Sequence, residues 1–281
     1  MEVITAKNSG FCFGVKRAVD SVYEQLESGK KIYTYGPIIH NEQVVTELTE
    51  RGVAVIETVE ELKKVKEGII IIRSHGVRKE IFDIIRKQGL EVLDATCPFV
   101  KKIHGIVEKE SREGRYIVVI GSRRHPEVEG IVSYAAGDVA VIENEEEADD
   151  FNIDLKREIC VVSQTTFNKN KFQELVEIFK KKGYYVSVAN TICNATEERQ
   201  TEAKRIASSV DAMIVIGGAG SSNTQKLYEI CKRECENTQY IQTLDDLVLN
   251  FKSIKSVGIT AGASTPKKII QEVQSYVRAN F

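Results

Sequence analysis

The sequence predicts an α/β protein made of three similar small domains with mostly parallel sheets. Short β-rich runs alternate with helical patterns along the whole chain, as is typical of α/β units around parallel sheets. Three cysteines, Cys12, Cys97 and Cys193, divide the 281 residues into near-equal thirds. Each follows a segment rich in Asn, Asp, Ser or Thr and begins a stretch with a helical pattern. Three thirds that fold alike would bring the three sulfurs together on a pseudo-threefold axis.

Six main strands are predicted where apolar, β-branched runs end in polar or glycine-rich loops. Their bounds are 31–35, 68–72, 116–120, 159–162, 212–216 and 256–260. Shorter runs at 53–56, 91–93, 139–142 and 185–188 complete the sheets. Between them, apolar residues at three- and four-residue spacing predict helices over 79–88, 170–182 and 224–236, with Gly89 and Gly183 as caps of the first two.

The same pattern predicts the domain organisation. No Pro-rich or Gly/Ser-rich linker separates the thirds, so we expect tight joints between them. The predicted parts are an N-terminal strand with the first candidate ligand (1–13) and three α/β domains (14–96, 97–192 and 193–281).

Composition excludes several classes of function. Lys plus Arg (39) nearly balances Asp plus Glu (41), so no overall field attracts nucleic acid or an anionic membrane. The start of the chain lacks the basic and apolar regions of a signal peptide, and no apolar run approaches the roughly 18–20 residues of a spanning helix. We therefore expect a cytoplasmic enzyme, in which six cysteines are thiols, ligands or core residues rather than disulfides.

The loops that follow the six main strands hold three of the four histidines and most of the Gly-Ser-Thr clusters. In open parallel sheets, ligands bind beyond the carboxyl ends of the strands. If these ends face one axis, the six loops and the three cysteines line one pocket.

Thiolate is a soft ligand that selects zinc, copper(I) or iron–sulfur clusters. Three protein thiolates leave a tetrahedral site or a cubane one ligand short, and an open position is where chemistry occurs. The alternative is that these cysteines are small buried hydrophobes. Cys160, in an apolar strand, and Cys231 and Cys235, one helical turn apart, lack the polar context and are assigned to structure.

A glycine-rich loop, Gly217-Gly218-Ala219-Gly220-Ser221-Ser222-Asn223, suits an anion. Glycines permit close approach of backbone N–H groups to phosphate oxygens, and the Ser and Asn side chains add donors. A structural turn is the alternative, since the loop is neither a Walker loop nor a dinucleotide fingerprint. Together with Ser264, His40 and His75 it favours a small diphosphate ester.

Glu127 follows His125 and Pro126 in the sequence and is a candidate proton donor, because nearby negative charge would raise its pKa. It could equally be a surface residue at a helix start, and His125 could be the acid instead. His104 is expected to face solvent and is given no role.

These motifs together resemble the 4-hydroxy-3-methylbut-2-enyl diphosphate reductase family, in order and at family-like spacing from near residue 8 to near residue 270. The loop 121–124 departs from the family by its two arginines. The motifs are Phe11-Cys12-Phe13-Gly14-Val15, Gly36-Pro37-Ile38-Ile39-His40-Asn41, Arg73-Ser74-His75-Gly76, Asp94-Ala95-Thr96-Cys97-Pro98, His125-Pro126-Glu127-Val128, Ser163-Gln164-Thr165-Thr166, Ser221-Ser222-Asn223 and Thr260-Ala261-Gly262-Ala263-Ser264.

The resemblance implies a trefoil of three α/β domains around a central [4Fe–4S] cluster, one per chain, held by Cys12, Cys97 and Cys193. It implies that the fourth iron has no protein ligand and takes the allylic hydroxyl of the substrate. By the same resemblance Thr165 contacts the hydroxyl end and Glu127 delivers protons. The implied diphosphate and pocket residues are His40, His75, His125, Ser221, Ser222, Asn223 and Ser264.

The implied reaction is the reductive dehydroxylation of 4-hydroxy-3-methylbut-2-enyl diphosphate to isopentenyl and dimethylallyl diphosphates. Ferredoxin or flavodoxin is the implied electron donor, because nothing in the sequence resembles a flavin or nicotinamide site. Two other functions stay open on the residues alone. One is a three-thiolate zinc hydrolase of a phosphorylated small molecule, and the other is a non-catalytic iron–sulfur sensor, although no basic face or DNA-binding helix pair is evident.

Overall fold

The computed structural model describes residues 2–248 and 254–280, so the outer limits of the predicted domains, residues 1 and 281, and residues 249–253 lie outside it. The strands and helices alternate along the chain. In order they are β1 (Glu2–Thr5), α1 (Phe13–Leu26), β2 (Ile32–Tyr35), α2 (Glu42–Glu50), β3 (Val53–Ile56), α3 (Val59–Lys64), β4 (Ile69–Ile72), α4 (Lys79–Lys87), β5 (Glu91–Asp94), α5 (Pro98–Arg112), β6 (Tyr116–Ile120), α6 (Pro126–Ser133), β7 (Val139–Ile142), α7 (Glu145–Asp150), β8 (Ile159–Ser163), α8 (Lys169–Lys181), β9 (Val186–Val188), α9 (Asn194–Ala207), β10 (Ala212–Ile216), α10 (Ser222–Glu234), β11 (Thr238–Ile241), a 3₁₀ turn (Leu244–Asp246), β12 (Ser256–Ala261) and α11 (Lys267–Asn280).

The strands form three four-stranded sheets, and every described strand pair is parallel. The strand orders are β3-β2-β4-β5, β7-β6-β8-β9 and β11-β10-β12-β1. The third sheet repeats the order of the other two, except that the N-terminal strand β1 takes the outer place beside β12. The predicted α/β class with parallel sheets is confirmed.

The described chain divides into two compact units. Unit 1 comprises Met1–Lys16, Ile39–Glu47 and Asn194–Phe281, and it contains the sheet β11-β10-β12-β1. Unit 2 comprises Arg17–Ile38 and Leu48–Cys193, and it contains the other two sheets.

The inner strands explain the apolar runs of the sequence. All residues of β4, β8 and β10 are buried, as expected for parallel strands covered by helices on both faces. Helices end where predicted at Gly89 and Gly183, whose φ angles of 68° and 88° are left-handed and favour glycine just past a helix C-terminus. None of the described helices combines the length and the apolar character needed to cross a membrane.

The sequence pattern does not indicate the edge strand β11, because Thr238-Gln239-Tyr240-Ile241 is short and mostly polar. One expectation is wrong. His104 does not face solvent: it is 5% exposed, and its ring stacks on Tyr134 with centroids 4.1 Å apart. The ring lies beside Gly76, where an added Cβ would be 3.1 Å from His104 Cε1, so the missing side chain makes the space. Burial lowers the pKa of His104 to about 4, and the ring is neutral at physiological pH.

Candidate active site

The three candidate ligand cysteines occupy equivalent local positions. Each lies immediately before a helix, Cys12 before α1, Cys97 before α5 and Cys193 before α9, and each is partly exposed. Each cysteine also donates its backbone N–H to a loop beyond the carboxyl end of a strand. The acceptors are Ala263 O for Cys12 (3.2 Å), Ser74 O for Cys97 (2.9 Å) and Thr165 O for Cys193 (3.0 Å). Ser264, His75 and Thr165 are the candidate substrate-binding residues at or next to these acceptors. A backbone hydrogen bond therefore connects each candidate ligand cysteine to a loop with a candidate substrate-binding residue.

The other three cysteines are buried, as predicted. Cys160 in β8 is 1% exposed. Cys231 in α10 is 0% exposed, and Cys235, which directly follows that helix, is 6% exposed. Burial raises the pKa of Cys160 to about 11 and that of Cys231 to about 12, so these thiols stay protonated. They pack as small apolar side chains.

The chemistry of the donor set fits an iron–sulfur cluster. The partly exposed cysteines offer soft sulfur atoms at helix starts, where the helix dipole favours negative charge. The structure therefore distinguishes three partly exposed cysteines from three buried ones, and the assignment of the first three as ligands stays a prediction.

Unit 1 gathers the predicted anion-binding residues at one edge of its sheet. Strands β10 and β12 are adjacent and parallel, so the loops after them share that edge. Ser221 caps α10: its Oγ accepts from the Thr224 N–H (3.3 Å) and hydroxyl (2.9 Å), which leaves its own hydroxyl hydrogen to donate. Asn223 is 4% exposed, and neither its amide nitrogen nor its amide oxygen has a hydrogen-bond partner among the described residues. Ser222 lies between them as the first residue of α10.

His40 and Ser264 belong to the same edge. Ser264 Oγ donates to His40 O (2.9 Å), and Gly218 lies against that carbonyl, since an added Cβ would be 2.7 Å from it. Thr224 fills the space beside Gly217 and Gly262, where added Cβ atoms would be 2.4 and 2.0 Å from its hydroxyl oxygen. The glycines thus allow these loops to pack closely against one another, and the candidate hydrogen-bond donors lie on the closely packed loops.

Unit 2 holds a buried acid. Glu127, in the first turn of α6, is 2% exposed, and both of its carboxyl oxygens are bound by Thr165. The Thr165 N–H donates to Oε1 (2.6 Å) and the Thr165 hydroxyl to Oε2 (2.8 Å). Burial raises the pKa of Glu127 to about 7, although the two hydrogen bonds from Thr165 act in the opposite direction. A carboxyl group with this pKa can give up a proton near neutrality.

His125 and His75 lie next to this acid. The His125 Nδ1 accepts the Glu127 N–H (3.2 Å), which caps α6 and places the ring proton of the neutral imidazole on Nε2. The His75 ring meets the His125 ring edge-on, with centroids 5.5 Å apart. Unit 2 therefore links Cys97, His75, His125, Glu127 and Thr165 to Cys193 in one series of contacts.

The unusual arginines of loop 121–124 leave this acid untouched. The Arg123 side chain is paired with Glu147 (2.8 Å) on α7, and its backbone N–H donates to Glu143 (2.6 Å). Arg123 and Arg124 are both exposed.

Each unit thus collects its own share of the predicted site residues. Unit 1 carries Cys12, His40, Ser221, Ser222, Asn223 and Ser264, and unit 2 carries Cys97, Cys193, His75, His125, Glu127 and Thr165. That all of them line one pocket stays a prediction.

Parallel sheets with polar loops beyond the strand ends, partly exposed cysteines at helix starts and a buried acid are typical of an α/β enzyme. Comparison with known proteins specifies the class. The chain matches the family model described as LytB protein over residues 3–278, and it belongs to the LytB family.

Two similar proteins share the name of a diphosphate reductase. The chain is 44% identical over 283 residues to the 4-hydroxy-3-methylbut-2-enyl diphosphate reductase of Caldanaerobacter subterraneus subsp. tengcongensis, covering 99% of this chain and 97% of the relative. It is 46% identical over 280 residues to the protein of that name from Geobacter sp. strain M21, covering 99% and 98%.

A solved structure described as the E-1-hydroxy-2-methyl-but-2-enyl-4-diphosphate reductase from Plasmodium falciparum matches with a TM-score of 0.92. It is 31% identical and covers 99% of this chain and 87% of that chain. A second, described as the terminal enzyme of the non-mevalonate pathway, is 45% identical with a TM-score of 0.71, covering 99% of this chain and 100% of that chain. The recognised resemblance is confirmed.

Proposed function

We propose that this chain reduces 4-hydroxy-3-methylbut-2-enyl diphosphate to isopentenyl and dimethylallyl diphosphates, and the names of its relatives as reductases of this diphosphate support the proposal. Two electrons and two protons enter, the allylic C–O bond breaks, and the oxygen leaves as water. The observation that carries the proposal is the repeated pairing of each candidate ligand cysteine with a loop that bears a candidate substrate residue.

LytB proteins are iron–sulfur enzymes, and we assign the ligands of one [4Fe–4S] cluster per chain to Cys12, Cys97 and Cys193. When bound, this cluster supplies single electrons and a Lewis-acidic iron with an open position. We propose ferredoxin or flavodoxin as the external one-electron donor. In this proposal the parts 14–96, 97–192 and 193–281 are three repeats around the cluster, with 1–13 adding the first ligand. The common strand order of the three sheets supports it.

The protein's own residues bind and orient the substrate. The hydroxyl of Ser221 and the unpaired amide of Asn223 offer donors to phosphate oxygens, together with backbone N–H groups at the start of α10. Ser222, Ser264, His40 and His75 complete the diphosphate set, and His125 presents its Nε2 hydrogen beside His75. Burial of Asn223 strengthens its bond, because little water competes for it. Ser264 would turn its hydroxyl hydrogen from His40 O to a phosphate oxygen when the diphosphate binds.

Proton delivery falls to Glu127. The Thr165 N–H donates to Oε1, and the Thr165 hydroxyl donates to Oε2 when the carboxylate is ionised. In the neutral acid the proton lies on Oε2, and this second bond reverses so that the carboxyl group donates to the hydroxyl oxygen of Thr165. The Thr165 hydroxyl, placed between the acid and the hydroxyl end of the substrate, can then pass a hydrogen to the leaving oxygen. A pKa of about 7 matches donation near neutral pH.

Single replacements of all six cysteines test the ligand assignment. Cys12→Ser, Cys97→Ser and Cys193→Ser should each lose most iron, sulfide and turnover, because hard oxygen replaces a soft ligand. Cys160→Ala, Cys231→Ala and Cys235→Ala, the matched controls, should keep iron near the wild-type content. Iron, sulfide, zinc and the absorption and EPR spectra of anaerobically purified protein measure the outcome.

The same samples separate the other functions. Stoichiometric zinc with no brown colour would support the zinc hydrolase instead, and an intact cluster without turnover of the diphosphate ester would support the sensor. Loss of the cluster in Cys231→Ala with retention in Cys193→Ser would overturn the ligand assignment.

A further inference from the structure

Two arginines occupy related positions on the helices that follow candidate ligand cysteines. Arg17 lies on α1, which follows Cys12, and Arg199 lies on α9, which follows Cys193. Neither belongs to the predicted diphosphate or proton-donating sets. Each reaches the irregular loop in front of another ligand cysteine.

Arg199 holds the loop in front of Cys12. Its Nε donates to Asn8 O (2.5 Å) and its Nη2 to Gly10 O (2.8 Å), and the side chain is 4% exposed. One turn further along α9, the Glu202 carboxylate accepts from the backbone N–H groups of Lys7 and Asn8, each at 2.9 Å. The loop therefore receives donors for its carbonyls and acceptors for its N–H groups from one helix face.

Arg17 holds the loop in front of Cys97 in the same manner. Its Nη2 donates to Thr96 O (2.9 Å) and to Asp94 O (3.2 Å). Thr96 directly precedes Cys97, whose N–H donates to Ser74 O, so both the carbonyl and the N–H of the peptide that links Thr96 to Cys97 are hydrogen-bonded. Arg17 forms no ion pair within the described ranges 2–248 and 254–280, and its charge faces neutral carbonyls.

We propose that Arg17 and Arg199 are positioning residues for the cluster ligands: each fixes the loop that presents one thiolate and brings a positive charge next to it. The inference rests on the proposed cluster site. Main-chain loops without regular structure must find partners for buried carbonyls, and the planar guanidinium supplies two donors in a fixed geometry that a lysine cannot match. Three thiolates also concentrate negative charge, which a nearby cation stabilises.

The two arginines predict separate effects on two loops. In Arg17→Gln, amide hydrogen exchange should accelerate about 10- to 100-fold at residues 94–97 and not at 8–12, as expected for the loss of a charge-assisted hydrogen bond. Arg199→Gln should show the reverse. Exchange is measured on apoprotein by mass spectrometry, so this result does not depend on cluster content. Arg233→Gln, an exposed arginine on α10, is the control and should change neither loop.

A second readout separates the charge from the geometry. After anaerobic reconstitution, Arg17→Gln should lower the reduction potential of the cluster and speed iron release to a chelator, because the extra electron loses a nearby cation. Arg17→Lys should restore most of the potential but not the slow exchange, since it keeps the charge and loses the planar fork. If Arg199→Gln does not fold, Arg199→Lys tests the 8–12 loop by exchange in the same way.

The positioning role would be overturned if each variant accelerated amide exchange to the same extent in residues 94–97 and 8–12. Acceleration spread over the whole chain would overturn it too. An unchanged potential in Arg17→Gln would overturn the role of the charge. A wild-type protein that binds no cluster would instead refute the proposed function, while the exchange data would still decide whether the arginines hold the loops.

Discussion

Asn223 in unit 1 and Glu127 in unit 2 are both buried polar side chains, 4% and 2% exposed, but their hydrogen bonding is opposite. Asn223 has no hydrogen-bond partner among the described residues for either amide atom, whereas Glu127 has both carboxyl oxygens bound by Thr165. A buried polar atom without a partner costs free energy, so its presence points to a ligand that satisfies it. The buried carboxyl group of Glu127 instead has hydrogen-bond partners within the protein for both oxygens, and its burial and these bonds determine its pKa. The first arrangement serves binding and the second serves proton transfer.

Glu127→Gln is the strongest way to break this comparison. Glutamine can keep both contacts, since its oxygen accepts from the Thr165 N–H and its amide donates to the Thr165 hydroxyl, but it has no acidic proton. We expect a loss of about 10²- to 10⁴-fold in the rate of C–O cleavage, the usual cost of removing a general acid. Single-turnover reduction by the pre-reduced variant measures it, with the cluster quantified in the same sample.

His125 is the alternative acid, and His125→Phe is the matching variant. Diphosphate affinity should stay near wild type in Glu127→Gln, because Glu127 is not among the residues proposed to bind the diphosphate. Near-normal turnover in Glu127→Gln with a severe loss in His125→Phe would move the proton donor to His125.

The raised pKa of Glu127 also predicts a pH dependence of stability. Its pKa is about 7 in the folded protein against 4.5 in the unfolded chain, so the folded state binds more protons between these values. The free energy of unfolding should therefore fall as pH rises from about 4.5 to above 7, by roughly 3 kcal/mol in total at 1.36 kcal/mol per pKa unit. Glu127→Gln should remove this fall and be more stable than wild type at pH 8.

Denaturant melts at pH 5 and pH 8 measure the effect. Glu146→Gln, an exposed carboxylate on α7, is the control and should follow the wild-type profile. If wild type and Glu127→Gln keep the same difference in stability at both pH values, the burial of Glu127 does not set its pKa.

The contrast between the two residues also shows what the sequence could predict. The bounds of β6, β7 and β10 agree with the predicted apolar runs to the residue. The reason is that fully or partly buried parallel strands consist of continuous runs of apolar, mostly β-branched residues. The residue types of both sites follow from local motifs beyond strand ends. The pairing of Thr165 with Glu127, 38 residues away, does not, since it depends on the parallel pairing of β6 with β8, which brings the loop after β8 next to the start of α6.

His104 and the two arginines show the same limit. The place of His104 depends on the missing side chain at Gly76, 28 residues before it in the chain, where an added Cβ would be 3.1 Å from the ring. Arg17 and Arg199 sit in ordinary helical sequence, and their role is visible only when the carbonyls they bind are located. Local patterns predict elements and chemistry, but the partners of buried polar groups require the tertiary fold.

The smallest expected effect sharpens the comparison within unit 1. Asn223→Ala removes a donor to the diphosphate and also removes two unsatisfied atoms from the free protein. We expect the affinity for inorganic diphosphate to fall about 10- to 100-fold, while the stability of the free protein is unchanged or higher.

Ser264→Ala should weaken diphosphate binding too, but it also loses the bond to His40 O and should lower the free energy of unfolding by about 1 kcal/mol. Calorimetric titration with diphosphate and denaturant melts of the free proteins give both quantities. Equal losses of stability in the two variants would mean that Asn223 has a structural partner, and unchanged diphosphate affinity in both would place the anion elsewhere.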